Sequence, residues 1–189
     1  MKRLIVGISG ASAAIYGIRM LEALRQARVE SHLVISEPSK QIIPLETSYQ
    51  VADVEGLASC VYPIEDIGAT IASGSFKHDG MVIIPCSIKS LSAVANSYND
   101  NLLVRAADVT LKENRRLVLV VRETPLHKGH LRLMLAAADM GAVIHPPMPA
   151  FYTMPQSIDD LVNHTVGKIL DLFDIEHDLV NRWPGLERA

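Results

Sequence analysis

The chain has little cysteine: Cys60 and Cys86 are the two in 189 residues. They lack C-x-x-C spacing, which disfavours both a disulfide framework and a zinc site. It also lacks an excess of either charge, with 18 Lys and Arg against 21 Asp and Glu and a net charge of −3. Without a basic block or an RNA-binding aromatic motif there is no electrostatic footprint for nucleic acid. No apolar run approaches a bilayer span, and the first residues enter a strand pattern rather than a secretory segment, so a cytoplasmic location with no membrane partner is expected. Internal repeats, low-complexity tracts and linkers are missing too. What is present, 49% hydrophobic and 21% charged residues, suits a single globular domain over residues 1–189 that buries its core without staples. A tail from about 175 to 189 is expected to be peripheral.

The informative stretch is Lys2 to Leu24, KRLIVGISGASAAIYGIRMLEAL. Leu4, Ile5, Val6 and Ile8 make a run too short and too β-branched for a helix, and it meets Gly7, Ser9, Gly10, Ala11 and Ser12 before a 3.6-residue period begins. That pattern is a buried strand, a small-residue turn and a helix. Small residues let the backbone approach a ligand, and Ser12 can cap the helix or hold an oxyanion beside its unpaired N–H groups, so an anion is expected at this turn. The dinucleotide fingerprint is not met: Ala13 stands where G-x-G-x-x-G needs its third glycine, and the second strand ends at Ser36 with no acid for a ribose. A mononucleotide phosphate fits better.

Further strands are expected at Ser31–Ile35, Cys60–Tyr62, Gly80–Cys86, Arg116–Val121 and Ala142–His145. Helices are expected at Glu37–Leu45, Val51–Ala58, Asn101–Lys112, His127–Met140 and Ser157–Phe173, with a helical turn at Asp66–Ala72 and another helix after Ser87. The segment MVIIPC followed by Ser87, Ile88, Lys89 and Ser90 repeats the design of the first unit. Alternating strands and helices imply an α/β fold with a doubly wound parallel sheet, in which ligands bind at the carboxyl ends of the strands. The turns at 9–12, 36, 86–90 and 122–125 should therefore converge.

The groups available at that edge are Ser12, Ser36, Ser87, Ser90, Lys89, Arg122 and Glu123, with Glu46, Lys112, Tyr152 and Lys168 able to reach it from other segments. Hydroxyls, backbone donors and several cations with few acids describe a site for one or two phosphates. Arg122 beside Glu123 pairs a phosphate-holding cation with a carboxylate that can move a proton. Other chemistries fit less well. His127 and His130 share a helix face without a third ligand, so they read as solvated or capping histidines rather than a metal site. Cys86, behind a buried run, reads as a packed thiol, and no G-x-S-x-G elbow supports a hydrolase. Met134, Met140, Met148 and Met154 read as core or subunit packing.

Taken together, GISGASAAIYG (7–17), HLVIS (32–36), LET (45–47), ASGSF (72–76), MVIIPCSIKSLS (81–92), NLLVRAADVTLKE (101–113), LVLVVRETPLH (117–127), GAVIHPPMPAFY (141–152) and the PQSIDDLV helix resemble the UbiX/Pad-type flavin prenyltransferases over nearly the whole chain. An older name for that family, phenylacrylic acid or 3-octaprenyl-4-hydroxybenzoate decarboxylase, belongs to superseded assignments. The resemblance implies a Rossmann-like, flavodoxin-related subunit of a homododecamer that binds reduced FMN between subunits. It further implies transfer of a dimethylallyl group from dimethylallyl phosphate to flavin N5 and C6 without a metal, the product serving UbiD-type decarboxylases.

Carried over by motif, the resemblance gives FMN to Gly10, Ala11, Ser12, Ser36, Ser87, Ile88, Lys89, Ser90 and Arg122, and the prenyl phosphate to Tyr152, Lys168 and Lys112. The expected catalytic groups are Ser12, Glu46, Lys112, Arg122 and Glu123, with Glu123 as the proton relay. Two positions depart from the family pattern. Ala13 replaces a frequent glycine, and Lys168 replaces a frequent arginine, which keeps the charge but loses a bidentate fork. Two other functions remain open on the sequence: an FMN-dependent cysteine decarboxylase of the related flavoprotein group, and a noncatalytic flavin carrier.

Overall fold

The computed structural model describes residues 1–180 and Gly185. Six strands, β1 (Arg3–Ile8), β2 (Glu30–Ile35), β3 (Cys60–Tyr62), β4 (Gly80–Cys86), β5 (Arg116–Val121) and β6 (Val143–Ile144), form one sheet in the order β3-β2-β1-β4-β5-β6. Every pairing is parallel. The helices are α1 (Ile15–Gln26), α2 (Glu37–Glu46), α3 (Val51–Glu55), α4 (Ile88–Ala95), α5 (Leu102–Lys112), α6 (Lys128–Asp139) and α7 (Ile158–Leu172). Parallel strands need crossovers, and here helices or longer connections supply them.

The period-2 pleat divides the apolar strand residues between two cores. Leu4, Val6, Ile8, Val82 and Val118 pack with Ile18, Leu21 and Val166 of α1 and α7. Ile5, Met81, Ile83 and Leu119 pack with Leu91, Leu103 and Ala107 of α4 and α5. The order reverses direction between β1 and β4, the adjacent central strands, which is where doubly wound sheets open their ligand crevice. Gly17 lets α1 lie close to the sheet there, since a Cβ at this position would stand 2.5 Å from the Ile84 carbonyl oxygen.

Most expected elements form, and the differences are local. The helix expected over 51–58 stops at Glu55 with Gly56 as its C-cap. The helical turn expected over 66–72 contracts to a 3-10 turn at Thr70–Ala72. Ser157 caps α7 through a capping box with Asp160, as its position ahead of the periodic run suggests. The tail is less peripheral than expected: Ile175 is buried in the first core and Leu179 packs against it. The part of that tail at residues 181–184 and 186–189 lies outside the described residues.

Candidate active site

Four strand-end turns are tied together by backbone and serine hydrogen bonds. The Ser9 amide and hydroxyl both donate to the Pro85 carbonyl, at 3.1 and 3.0 Å, while Ser9 Oγ accepts the Ser87 amide at 2.8 Å. On the other side the Ser36 amide and the Ser39 hydroxyl donate to the Ile8 carbonyl at 2.9 and 3.0 Å. The Arg122 amide donates to the Cys86 carbonyl at 3.1 Å. Ser9 and Ser39 are almost wholly buried, so these bonds replace contacts with water that the polar atoms lose on folding. The sequence alone assigns neither serine this bridging role. Their signals are a hydroxyl directly after a buried strand and a serine three residues beyond the α2 N-cap.

The turns enclose a cavity of about 820 Å³, bordered by Gly10 and Ala11 from the first turn and by Ser36 from the second. Ser87, Ile88, Lys89 and Ser90 border it from the third, and Arg122 and Glu123 from the fourth. Its size lies in the range of small-molecule and cofactor sites. Gly10 is required at the rim because a Cβ there would lie 2.6 Å from Pro38 Cβ.

Three helices begin at this cavity. Ser87 caps α4 by accepting the Ser90 amide at 3.2 Å, and Asn101 caps α5 by accepting the Val104 amide at 3.1 Å. Glu37 and Pro38 open α2 at the same rim. Amides in the first turn of a helix, such as those of Ile88 and Lys89, have no intrahelical acceptor and face an anion with the positive end of the helix dipole. Ile64, Ile67, Ala93, Leu103 and Val104 add apolar wall. The combination suits a planar aromatic group joined to a phosphate, and the residues present therefore fit a flavin mononucleotide.

The charge balance corrects the expectation of many cations with few acids. Lys89 and Arg122 share the cavity lining with Glu37, Glu65, Asp100 and Glu123. Three of these carboxylates have partners: Glu37 pairs with Lys40 at 2.6 Å, Asp100 accepts from Asn101 at 2.7 Å, and Glu123 accepts the Thr124 amide at 3.0 Å. Backbone dipoles and hydroxyls thus provide much of the attraction for phosphate within this chain.

Ser12 and Glu46 lie beside the cavity without lining it. Ser12 does not cap α1, whose start has no side-chain cap. Instead Glu46 Oε2 accepts the amides of Ala13 at 2.6 Å and Ala14 at 3.3 Å, so the anion at this turn is a carboxylate of the chain itself. Ala13 is held at φ 77°, the left-handed region where an L-residue is strained.

Lys112, Tyr152 and Lys168 do not reach the cavity within the chain. Lys112 ends α5 immediately before β5, pairs with Glu113 and sits beside Gly74 at the opposite edge of the sheet. The six residues of β5 put roughly 16 Å of strand between the two edges, at about 3.3 Å per residue. Tyr152 lies half-exposed in the loop after β6, with its hydroxyl 2.9 Å from His164 Nε2. Lys168, one turn further along α7, stands 3.9 Å from Asp171. Burial, with opposition from the Lys168 and His164 charges, holds the His145 pKa below its ordinary range. Tyr152, His164, Lys168 and His145 therefore form a second polar group, apart from the cavity lining.

Burial pushes the Cys86 thiol up to about 12, which keeps it protonated and unreactive. His127 caps α6 by accepting the Gly129 amide at 3.0 Å, and its ring lies against His130 at a centroid distance of 3.6 Å. Met140, Met148 and Met154 are exposed, and Met134 packs against the second core.

Residues 1–170 match the Flavoprotein family model. The chain is 61% identical over 185 residues to the flavin prenyltransferase UbiX of Thauera aromatica, covering 98% of this chain and 95% of that protein. Its fold matches the crystal structure of AnUbiX (PadA1) in complex with FMN and dimethylallyl pyrophosphate at a TM-score of 0.97 and 49% identity, over 98% of this chain and 99% of that one. A dodecameric FMN-dependent Ubix-like decarboxylase from Escherichia coli O157:H7 matches at a TM-score of 0.95 and 50% identity, over 97% and 100% of the two chains.

Proposed function

Because the chain belongs to the UbiX family of flavin prenyltransferases, we propose that it joins a dimethylallyl group from dimethylallyl phosphate to N5 and C6 of reduced FMN. The supporting observation is the cavity at the β1/β4 crevice, where three helix starts, Arg122 and Lys89 meet an apolar wall. Gly10, Ala11, Ser36, Ser87, Ile88, Lys89, Ser90 and Arg122 hold the FMN, with Ser12 in the adjoining turn. Reduced FMN supplies an electron-rich acceptor for an allylic electrophile.

The remaining chemistry belongs to the protein side chains. As the allylic C–O bond breaks, negative charge grows on the leaving phosphate, and fixed cations and donors lower the barrier most when water is excluded. Arg122, Lys112, Lys168 and Tyr152 are assigned to that charge. Closing the ring at C6 adds a proton to the prenyl double bond and removes one from C6, a transfer that the Glu123 carboxylate or the departing phosphate relays. Glu46 fixes the first turn. Lys112, Tyr152 and Lys168 do not reach the cavity of their own subunit, so they act at the site of a neighbouring copy in a homododecamer, like the assembly formed by the Escherichia coli relative. Exposed Leu126, Leu131, Leu135, Met148 and Phe151 supply apolar surface for such assembly. Among the described residues no helix is long and apolar enough to cross a membrane. The proposed location is the cytoplasm, and the proposed recipient of the product is a UbiD-type decarboxylase.

Anaerobic incubation with reduced FMN and either dimethylallyl phosphate or its pyrophosphate, followed by flavin mass measurement, tests the reading. Gain of a C5H8 unit is expected. An unchanged flavin overturns it, leaving a flavin carrier or, if a cysteine peptide is decarboxylated instead, a cysteine decarboxylase. Glu123→Gln should keep FMN bound while slowing prenylation by about 10²–10⁴-fold, the usual range for a lost proton-transfer group.

A further inference from the structure

A second chemical constellation lies at the opposite edge of the sheet, away from the flavin cavity. In the parallel register of β1, β2 and β3, Arg3 lies beside Glu30 and His32 beside Cys60. Because alternate residues of a strand share a face, Glu30, His32 and Cys60 emerge together on one side of the sheet. Their donor atoms all lie within 4.8 Å of one another. We propose that Glu30, His32 and Cys60 bind one thiophilic divalent cation of the Zn²⁺ class, with a water molecule as the fourth ligand.

The donor set and its geometry suit that ion. Carboxylate, imidazole and thiolate are its usual ligands, and a tetrahedral centre with bonds near 2.0 Å places its nitrogen and oxygen donors about 3.3 Å apart. Glu30 Oε1 and His32 Nε2 are already 2.9 Å apart, so a small outward movement admits the ion. The other polar atoms are oriented as an outer shell. His32 Nδ1 lies 2.9 Å from Tyr62 Oη, which is itself 3.2 Å from Thr70 Oγ1, and Glu30 Oε2 accepts from Arg3 at 3.0 Å. Such partners fix ring orientation and ligand basicity. His32 is also held from the side by the edge of the Phe76 ring, at a centroid distance of 4.9 Å.

Charge is balanced as well. A Cys60 thiolate and the Glu30 carboxylate oppose the ion, while Asp79, which accepts the Arg3 amide at 2.7 Å, offsets the nearby guanidinium. Cys60 is exposed, which leaves an entry path and room for the water. The ion would clip β3, a three-residue edge strand, to β2.

Chelator-treated, reduced full-length protein titrated with Co²⁺ tests the proposal, followed by displacement with Zn²⁺. One equivalent per chain should produce a thiolate-to-cobalt absorption band. Cys60→Ser should abolish that band and weaken Zn²⁺ binding by more than the roughly 10–100-fold that loss of an outer partner costs. Tyr62→Phe should keep the band and weaken binding by about 10-fold, as loss of an outer partner does. Glu30→Gln, a second ligand variant, should likewise keep the band with weaker binding. Absence of the band in the wild-type protein, or wild-type affinity in Cys60→Ser, overturns the proposal. Cys86 is buried in the core and cannot supply the band.

Discussion

Glu46 Oε2 accepts the Ala13 amide at 2.6 Å, and the same Ala13 has φ 77°. A carboxylate at the end of α2 thus holds the first turn in a backbone region where alanine is strained. Removing the charge weakens a charge-assisted hydrogen bond, and Glu46→Gln should lower stability by about 1 kcal/mol. Replacing the strained residue should act the other way, with Ala13→Gly gaining about 1 kcal/mol. For a chain of this size each corresponds to roughly 2–4 °C in thermal unfolding at fixed protein concentration. A lower Tm for Ala13→Gly would show that the turn is not strained.

Lys112 lies at the sheet edge opposite Arg122 and Glu123. If one subunit provides Lys112 and another provides Arg122, two inactive variants can complement each other. Lys112→Ala and Arg122→Ala proteins, unfolded and reassembled together in equal amounts, should recover about a quarter of the wild-type prenylation rate by random mixing of subunits at a heterologous interface. Recovery no greater than the sum of the separate variants would place both groups in one subunit or remove Lys112 from the reaction.

Burial lowers the pKa of His78 and of His145 from an ordinary value of 6.5. The unfolded chain therefore binds more protons than the folded one below about pH 6.5, and stability rises with pH through that window. Thermal unfolding should show a Tm that falls as pH is lowered from 7 to 5. His78 Nδ1 lies 3.0 Å from the Gly80 carbonyl, so the neutral ring can donate there. His78→Gln should flatten the pH dependence while leaving a donor at that position, and an unchanged slope would show that His78 is not among the titrating groups.

The buried Cys86 thiol, pushed up to about 12, should not react with a thiol reagent in the folded protein. In chelator-treated protein one thiol per chain, that of exposed Cys60, should react without denaturant and the second only on unfolding. Prompt reaction of both would show that the strand end at Cys86 opens readily. Cys86→Ala should still prenylate FMN, with a modest loss of stability from the vacated core volume.

The elements most legible in the sequence are those set by neighbouring residues. The runs at Leu4–Ile8 and Gly80–Cys86, each followed by a small-residue turn, mark β1 and β4 and their cavity-facing turns because strand burial and turn chemistry act over a few positions. Less legible are Ser9 and Ser39, whose hydroxyls donate to the carbonyls of Pro85 and Ile8 on strands distant in sequence. The balance of acids and cations is hidden from the sequence for a similar reason. Glu65 and Asp100 enter the cavity from connections whose paths have no local periodicity.

The amino-acid order alone determined the alternation of strand and helix, the parallel sheet that this alternation requires, and the turns available to an anionic ligand. These follow from side-chain periodicity and from the conformations open to small residues. Only the tertiary structure decided that Glu46 takes the amides of Ala13 and Ala14, that Lys112 stands at the far edge, and that Glu30, His32 and Cys60 meet. Those relationships depend on strand register, helix direction and chain closure over tens of residues, which no local pattern encodes.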